Sequence, residues 1–195
     1  MTVIIISGTP GVGKHSIAEE LAKLLENAII IDLNKIIISK NLLVDDSGGH
    51  NDVDIDKAFD YFRLMISSAM ADSDVLIVGH MAPYVVDPLL VDVVVVLRRS
   101  PYDLKKVYEQ RSYSEGKIKD NLISEILGII SFDFLKYYDP KKIMEIEIKT
   151  NTLPVYNAGE IYKIIMNKDL RRFGLIDWLP LVQSDPQMVK ILSES

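Results

Sequence analysis

Gly8-Thr9-Pro10-Gly11-Val12-Gly13-Lys14-His15-Ser16 is the stretch on which the reading of this chain turns. An apolar run, Val3 to Ile6, precedes it and reads as a buried strand. Ile17, Leu21, Leu24 and Leu25 follow at helical spacing. A strand, a glycine-rich loop and a helix with a lysine at its start form a cradle for a phosphate chain. Glycines let the backbone curl until several N–H groups point at one anion. The helix N-terminus adds unpaired N–H groups and the positive end of its dipole, and Lys14 reaches the outer phosphates. The spacing is Gly-x4-Gly-Lys, but the hydroxyl residue expected next is His15, with Ser16 one place later. That hydroxyl ordinarily ligates Mg2+, a hard ion that prefers oxygen, so Ser16 or water has to serve. The bland alternative is a strand-to-helix turn with glycines for geometry; a strand before and a helix after the loop argue against it.

Working outward, the 195 residues suit one domain with a full core, and 48% hydrophobic with 26% charged residues is the balance of a globular protein. The absence of cysteine excludes disulfides and thiolate metal sites, and three histidines leave little for a zinc site. No apolar run reaches membrane-spanning length, and no basic region precedes the first strand. A cytoplasmic protein without membrane contact is the expectation. The net charge of −6 and pI of about 5.1 argue against strong direct nucleic-acid binding and permit attraction to a basic protein.

Further apolar runs lie at Ala28–Ile31, Val75–Val78, Val93–Leu97 and Ile143–Ile148. Four consecutive valines suit a pleated surface, and unbroken runs indicate parallel strands covered on both faces. The last run alternates Ile and Glu, which predicts one exposed side. Helices are predicted from Leu33, with Ile36 and Ile37 inward; over Asp56–Ala71, with Asp56 as N-cap; from Pro101 to about Gln110; from about Asp120 to Tyr137; and over Ala158–Met166. Asp45–Asp54 reads as a mobile acidic loop, and the stretch from Asp169 as an extended strap with a short terminal helix. Strands alternating with helices predict an α/β fold, a five-stranded parallel sheet with helices on both faces. Its ligand belongs at the carboxyl ends of the strands, where the glycine loop, Asp32, His80 and Arg98 emerge.

No Asn-Lys-x-Asp pattern is present to read guanine. Basic residues fall at Arg98/Arg99 and at Arg111/Lys117, and arginine forks match phosphate oxygens. A short polar hairpin around Arg111 is expected to close as a lid and exclude water. The competing role for Arg111 is a surface ion pair with Glu115. For Lys35 it is a solvated charge, and for His80 a loop histidine capping backbone groups.

These residues resemble a known family. Gly8–Ser16 is similar to the loop of small nucleoside monophosphate kinases. Asp32-Leu33, Gly79-His80, Val95–Arg98, Arg111-Ser112-Tyr113, Asp120–Ile126 and Ile176–Leu179 resemble the adenylate kinase-like ribosome-assembly factors of archaea and eukaryotes, the group of the coilin-interacting nuclear ATPase. The likeness covers most of residues 1–168 and part of the tail. It implies one P-loop kinase domain over 1–195, with an NMP-binding segment at about 32–55, a lid at about 110–120 and a tail at 169–195. It implies phosphoryl transfer from ATP to AMP or another NMP, some ATPase activity, and a part in late small-ribosomal-subunit maturation through a basic ribosomal protein. On matching positions, Gly11, Gly13, Lys14, His15 and Ser16 hold the ATP phosphates, and Arg111 contacts ATP or the transferred phosphoryl. Asp32 and Lys35 serve the second nucleotide, Lys35 standing where the family has an arginine. Ser16 and Asp32 serve Mg2+, and His80 positions water or metal. Val78 stands where the family carries a carboxylate, so Asp32 is left to hold the ion's water shell, and Val78→Asp is expected to raise activity at limiting Mg2+. Lys14→Ala is expected to end turnover with little loss of stability, as an exposed loop lysine would. Two alternatives remain: an ATPase assembly chaperone for a ribosomal protein with incidental kinase activity, and a small-molecule kinase with another acceptor, lined by the acidic loop.

Overall fold

The computed structural model describes residues 1–26, 28–45 and 51–193. Along the chain lie β1 (Val3–Ser7), α1 (Lys14–Leu24), β2 (Ile29–Asp32), α2 (Leu33–Ser39), β3 (Leu43–Asp45), β4 (Asn51–Val53), α3 (Ile55–Ala69) and β5 (Val75–Val78). There follow α4 (Ala82–Val85), β6 (Val93–Arg98), α5 (Pro101–Gln110), α6 (Glu115–Ile126), α7 (Ile129–Tyr137), β7 (Ile143–Glu147), α8 (Pro154–Met166), α9 (Leu179–Gln183) and α10 (Pro186–Ser193). Five strands form one parallel sheet in the order β2-β5-β1-β6-β7. The strand that feeds the glycine loop is therefore central, with Ile5 opposite Ile77 on one side and Val94 on the other.

Alternate residues of each strand enter opposite cores, as the period of two requires. On one face Ile4, Ile6, Val78 and Val95 meet Ile17 and Leu21 of α1, Leu104 of α5, Leu122 of α6 and Ile161 of α8. On the other, Val3, Ile5, Ile77 and Val94 meet Leu33 and Ile37 of α2, Phe62 and Ile66 of α3 and Phe134 of α7. Both faces are covered, as the unbroken Val/Ile runs demand. At the edge, Ile29 and Ile30 of β2 are partly exposed. Among the described residues no helix is long and apolar enough to cross a membrane.

Several boundaries differ from the sequence reading, each for a local reason. Asp54, not Asp56, caps α3, its carboxylate accepting the Lys57 N–H at 3.2 Å. The segment read as a loop, Asp45–Asp54, includes the last residue of β3 and all of β4, which pair antiparallel with Leu43 opposite Val53; residues 46–50 of that call lie outside the described residues. The helix expected from Asp120 to Tyr137 begins earlier, at Glu115, and breaks in two at Gly128, whose φ of 65° is left-handed. The Arg98 guanidinium lies against that glycine, where a Cβ would stand 3.3 Å from Nη1. Strand β7 keeps its expected exposed side only at Glu147: Ile143, Met144, Glu145 and Ile146 are all buried. The Glu145 N–H donates to the Arg172 carbonyl at 2.9 Å, so the segment after α8 covers the outer edge of this strand. The strap ends in two short helices, α9 and α10.

Candidate phosphate-binding site

The glycine loop owes its shape to three positive φ angles, 134° at Gly8, 89° at Gly11 and 102° at Gly13. Gly8 runs hard against the end of β6: a Cβ there would lie 2.3 Å from the Leu97 carbonyl oxygen. Pro10 is held from below by Tyr108 of α5, whose hydroxyl donates to the Pro10 carbonyl at 2.5 Å. Gly13 caps α1 without any side-chain hydrogen bond, so the first N–H groups of an eleven-residue helix stay available to an anion.

Lys14 is 7% exposed. Its Nζ donates to the carbonyls of Gly8 at 2.7 Å and Thr9 at 3.0 Å, tucking the ammonium into the loop. Burial pulls its pKa down from 10.5 to about 8, against a raising pull from Glu125. The ammonium is thus still charged near neutrality but poorly solvated, which strengthens its attraction to phosphate.

In front of the loop opens a cavity of about 640 Å3. Gly11, Gly13, Lys14, His15 and Ser16 form one wall, Asn34 and His80 another, and Arg111, Tyr113, Lys117, Asp120 and Asn121 the third. That third wall is the segment expected to be a lid. It is a tight turn at Arg111–Ser114 running into α6 rather than a hairpin, with Ser112 at φ 54° and Ser114 capping the helix. Tyr113 stacks on Tyr108 with centroids 5.5 Å apart and planes 8° from parallel, and Lys117 Nζ lies 4.2 Å from the Tyr113 ring centroid. The ring stack pins the turn to the same tyrosine that supports Pro10.

His80, on the turn after β5, faces the cavity. Burial and the Lys14 charge push its pKa down, so a neutral imidazole stands there at pH 7. Asp32 ends β2 and caps α2, accepting the Lys35 N–H at 3.1 Å, and its Oδ2 lies 2.7 Å from His15 Nε2. Burial pushes its carboxyl up, but the Lys35 N–H and His15 outweigh that and hold it below the usual carboxylate range. The pair opens onto a second cavity of about 350 Å3, which His15 shares with the first. Lys35 lies there too, 3.4 Å from Asp32 Oδ2 with its side chain 81% exposed, and not on the wall of the larger cavity.

A phosphate chain fits the loop, with its left-handed glycines, open helix N-terminus and buried ammonium. For a Mg2+ ion the described residues offer the Ser16 hydroxyl on the larger cavity and the ionised Asp32 on the smaller, with His15 lining both. Among the described residues no three of His, Asp and Glu converge as a metal cage.

Three expectations need correction. Arg98 is not free for phosphate: it is 4% exposed, and its guanidinium donates to Glu125 and Glu145. Arg99 reaches Thr150 at 3.3 Å and does not line the cavity. Val78 does not face the cavity either. It is fully buried with Ile6, Val12 and Ile17, so a carboxylate there would enter the core. Tyr108, Asn34 and the buried Thr9–Glu125 contact (2.6 Å) escaped the sequence reading, because helical spacing marks Tyr108 only as core and nothing local links residues 9 and 125.

The AAA domain family matches residues 4–128. A protein of Methanococcus maripaludis named "Putative adenylate kinase" is 30% identical over 186 residues, covering 91% of this chain and 95% of its own. One of the same name from Methanosarcina acetivorans is 30% identical over 193 residues, covering 92% and 99%. Shikimate kinase from Bacteroides thetaiotaomicron superposes with a TM-score of 0.54 at 16% identity over 85% of this chain and 98% of its own, a likeness of fold.

Proposed function

We propose that this chain, which belongs to the AAA-domain family of P-loop proteins and to the adenylate kinase-like group within it, transfers the terminal phosphoryl of ATP to AMP or another nucleoside monophosphate. The observation that carries this reading is the meeting of the phosphate loop with Arg111 and Lys117 around one cavity of about 640 Å3, a size suited to a nucleotide. Phosphoryl transfer asks mainly for positioning and fixed positive charge.

In this reading the N–H groups from Gly11 to Ser16 and the Lys14 ammonium grip the ATP phosphates. Arg111 and Lys117 close over them from the third wall and exclude water. Lys35 takes the phosphate of the second nucleotide from the flank beside Asp32. A point charge in that role, in place of an arginine fork, favours modest affinity for the monophosphate. The neutral His80 accepts a proton or orients the attacking group. Ser16 and Asp32 hold Mg2+, which supplies charge neutralisation at the phosphate oxygens.

A coupled assay with Mg-ATP, with and without AMP, tests this. Two ADP formed per AMP consumed, and no ADP without AMP, is the expected result. ADP and free phosphate in equal amounts without AMP would instead support a second reading, an ATPase that escorts a basic ribosomal protein. The net charge of −6 and the His80 imidazole beside Lys14 favour that reading. Turnover with shikimate or a nucleoside but not with monophosphates would overturn both.

A further inference from the structure

Behind the loop sits a buried cluster that the reaction above does not use. The carboxylate of Glu125, a residue 1% exposed, accepts four hydrogen bonds. Its Oε2 takes the Thr9 hydroxyl at 2.6 Å; its Oε1 takes Arg98 Nε at 2.8 Å, Trp178 Nε1 at 2.9 Å and the Arg99 N–H at 3.2 Å. Its backbone carbonyl takes Arg98 Nη2 at 2.8 Å. Arg98 Nη1 continues to Glu145 Oε1 at 2.7 Å, where Ser131 also donates, and the Gly174 N–H reaches Glu145 Oε2 at 2.9 Å.

Two features give this cluster more than a packing role. Lys117, Asn121 and Glu125 recur every fourth residue along α6 and so form one stripe. The first two line the nucleotide cavity, and the third grips the loop through Thr9. One rigid helix thus joins the lid to the phosphate cradle. Second, ordering by stability alone would favour apolar side chains at a fully buried site, yet here a carboxylate meets a loop threonine, a strand arginine and the indole of the C-terminal segment.

We propose that Glu125 is a positioning residue for phosphate binding: through the Thr9 hydroxyl it holds the glycine loop in its anion-binding shape, and through Trp178 it ties the C-terminal segment to that loop. The proposal deepens the nucleotide reading and rests on it.

Thr9→Val replaces the hydroxyl by a methyl of similar size, and Thr9→Ser keeps it. ATP affinity is measured for both by calorimetry, with circular dichroism melting to confirm the fold. Losing a hydrogen bond to a charged acceptor is expected to weaken ATP binding by about tenfold in Thr9→Val, while Thr9→Ser, which keeps that hydrogen bond, stays within about twofold of the wild type. Trp178 is the only tryptophan. Its emission is expected to change on ATP binding in the wild type and in Thr9→Ser, and to stay constant in ATP-saturated Thr9→Val, where the link is cut. Equal ATP affinity in all three proteins, or equal loss in both variants, overturns the proposal. Should Thr9→Val fail to fold, Glu125→Gln decides in its place, with the same weakening expected. A wild type that binds ATP without transferring phosphoryl refutes the kinase reading alone, and the Thr9 series still decides this one.

Discussion

Lys14→Met is expected to stabilise the folded chain while ending turnover. In the free protein the ammonium is almost fully buried, and its pKa falls from 10.5 to about 8. A displacement of that size corresponds to about 3 kcal/mol of destabilisation borne by the charged form. Methionine fills the same channel without charge but gives up the hydrogen bonds to the Gly8 and Thr9 carbonyls, each contributing about 1 kcal/mol. The balance at pH 7 is a gain of about 1 kcal/mol, or a rise in Tm of about 2–4 °C for a chain of this length. The pH dependence has a definite sign. The folded pKa lies below the unfolded one, so the cost is fully present below pH 8. It fades as pH rises from about 8 to 10.5, where the folded state releases its proton and the unfolded state keeps it. The wild type therefore gains on Lys14→Met across that window. Urea titrations of both proteins at pH 7 and pH 10 read the difference directly. A stability gap that stays constant between the two pH values would refute the reasoning. In parallel, kcat/KM of the wild type is expected to fall above about pH 8 as free protein loses the ammonium.

Arg98→Met leaves Glu125 and Glu145 buried without their shared cation and is expected to lower stability by about 3–5 kcal/mol in urea; an unchanged midpoint would mean that Thr9, Trp178 and Ser131 satisfy the two carboxylates alone. Gly8→Ala drives a Cβ to 2.3 Å from the Leu97 carbonyl and is expected to abolish ATP binding, whereas at Gly13 a Cβ meets nothing within 4 Å. There only backbone strain of about 1–3 kcal/mol opposes alanine, so calorimetry is expected to separate the two variants. Val78→Asp places a carboxylate in the apolar core and is expected to cost several kcal/mol, roughly the unpaired-group penalty or more; a stable variant with higher activity at limiting Mg2+ would reverse that conclusion.

The sheet was legible because its strands announce themselves as unbroken Val and Ile runs, and the cradle because three glycines and a lysine stand at fixed offsets between a strand and a helix. Lys14, His15, Ser16, His80 and Arg111 indeed share one cavity. The sequence reading failed where a side chain's fate depends on remote partners. Arg98 reads as a phosphate ligand at a strand end until Glu125 and Glu145 arrive from α6 and β7. Glu145 reads as the polar face of an edge strand until Arg98 and the segment around Gly174 cover it. Lys14 reads as exposed because a loop is assumed to lie on the surface. The break at Gly128 was hidden within continuous helical periodicity, since its left-handed φ and the Arg98 guanidinium beside it emerge only in the fold. Lys35 lies beside Asp32 on the smaller cavity and does not line the larger one, because α2 carries it to the flank.

The Thr9–Glu125 bond joins residues 116 apart, and Trp178 joins the same carboxylate from 53 residues further on. During synthesis from the N-terminus, the glycine loop leaves the ribosome long before the partners that brace it. Strand β1 must also wait for β5 and β6, since both its neighbours are encoded later. A nascent chain ending before Trp178 carries Arg98 and Glu125 without the indole that completes their enclosure. The order of translation thus delays the finished cradle until the chain has been made past Trp178. If Glu125 braces the loop as proposed, nucleotide binding comes late in the birth of this protein and gauges whether a nascent chain has assembled its cradle.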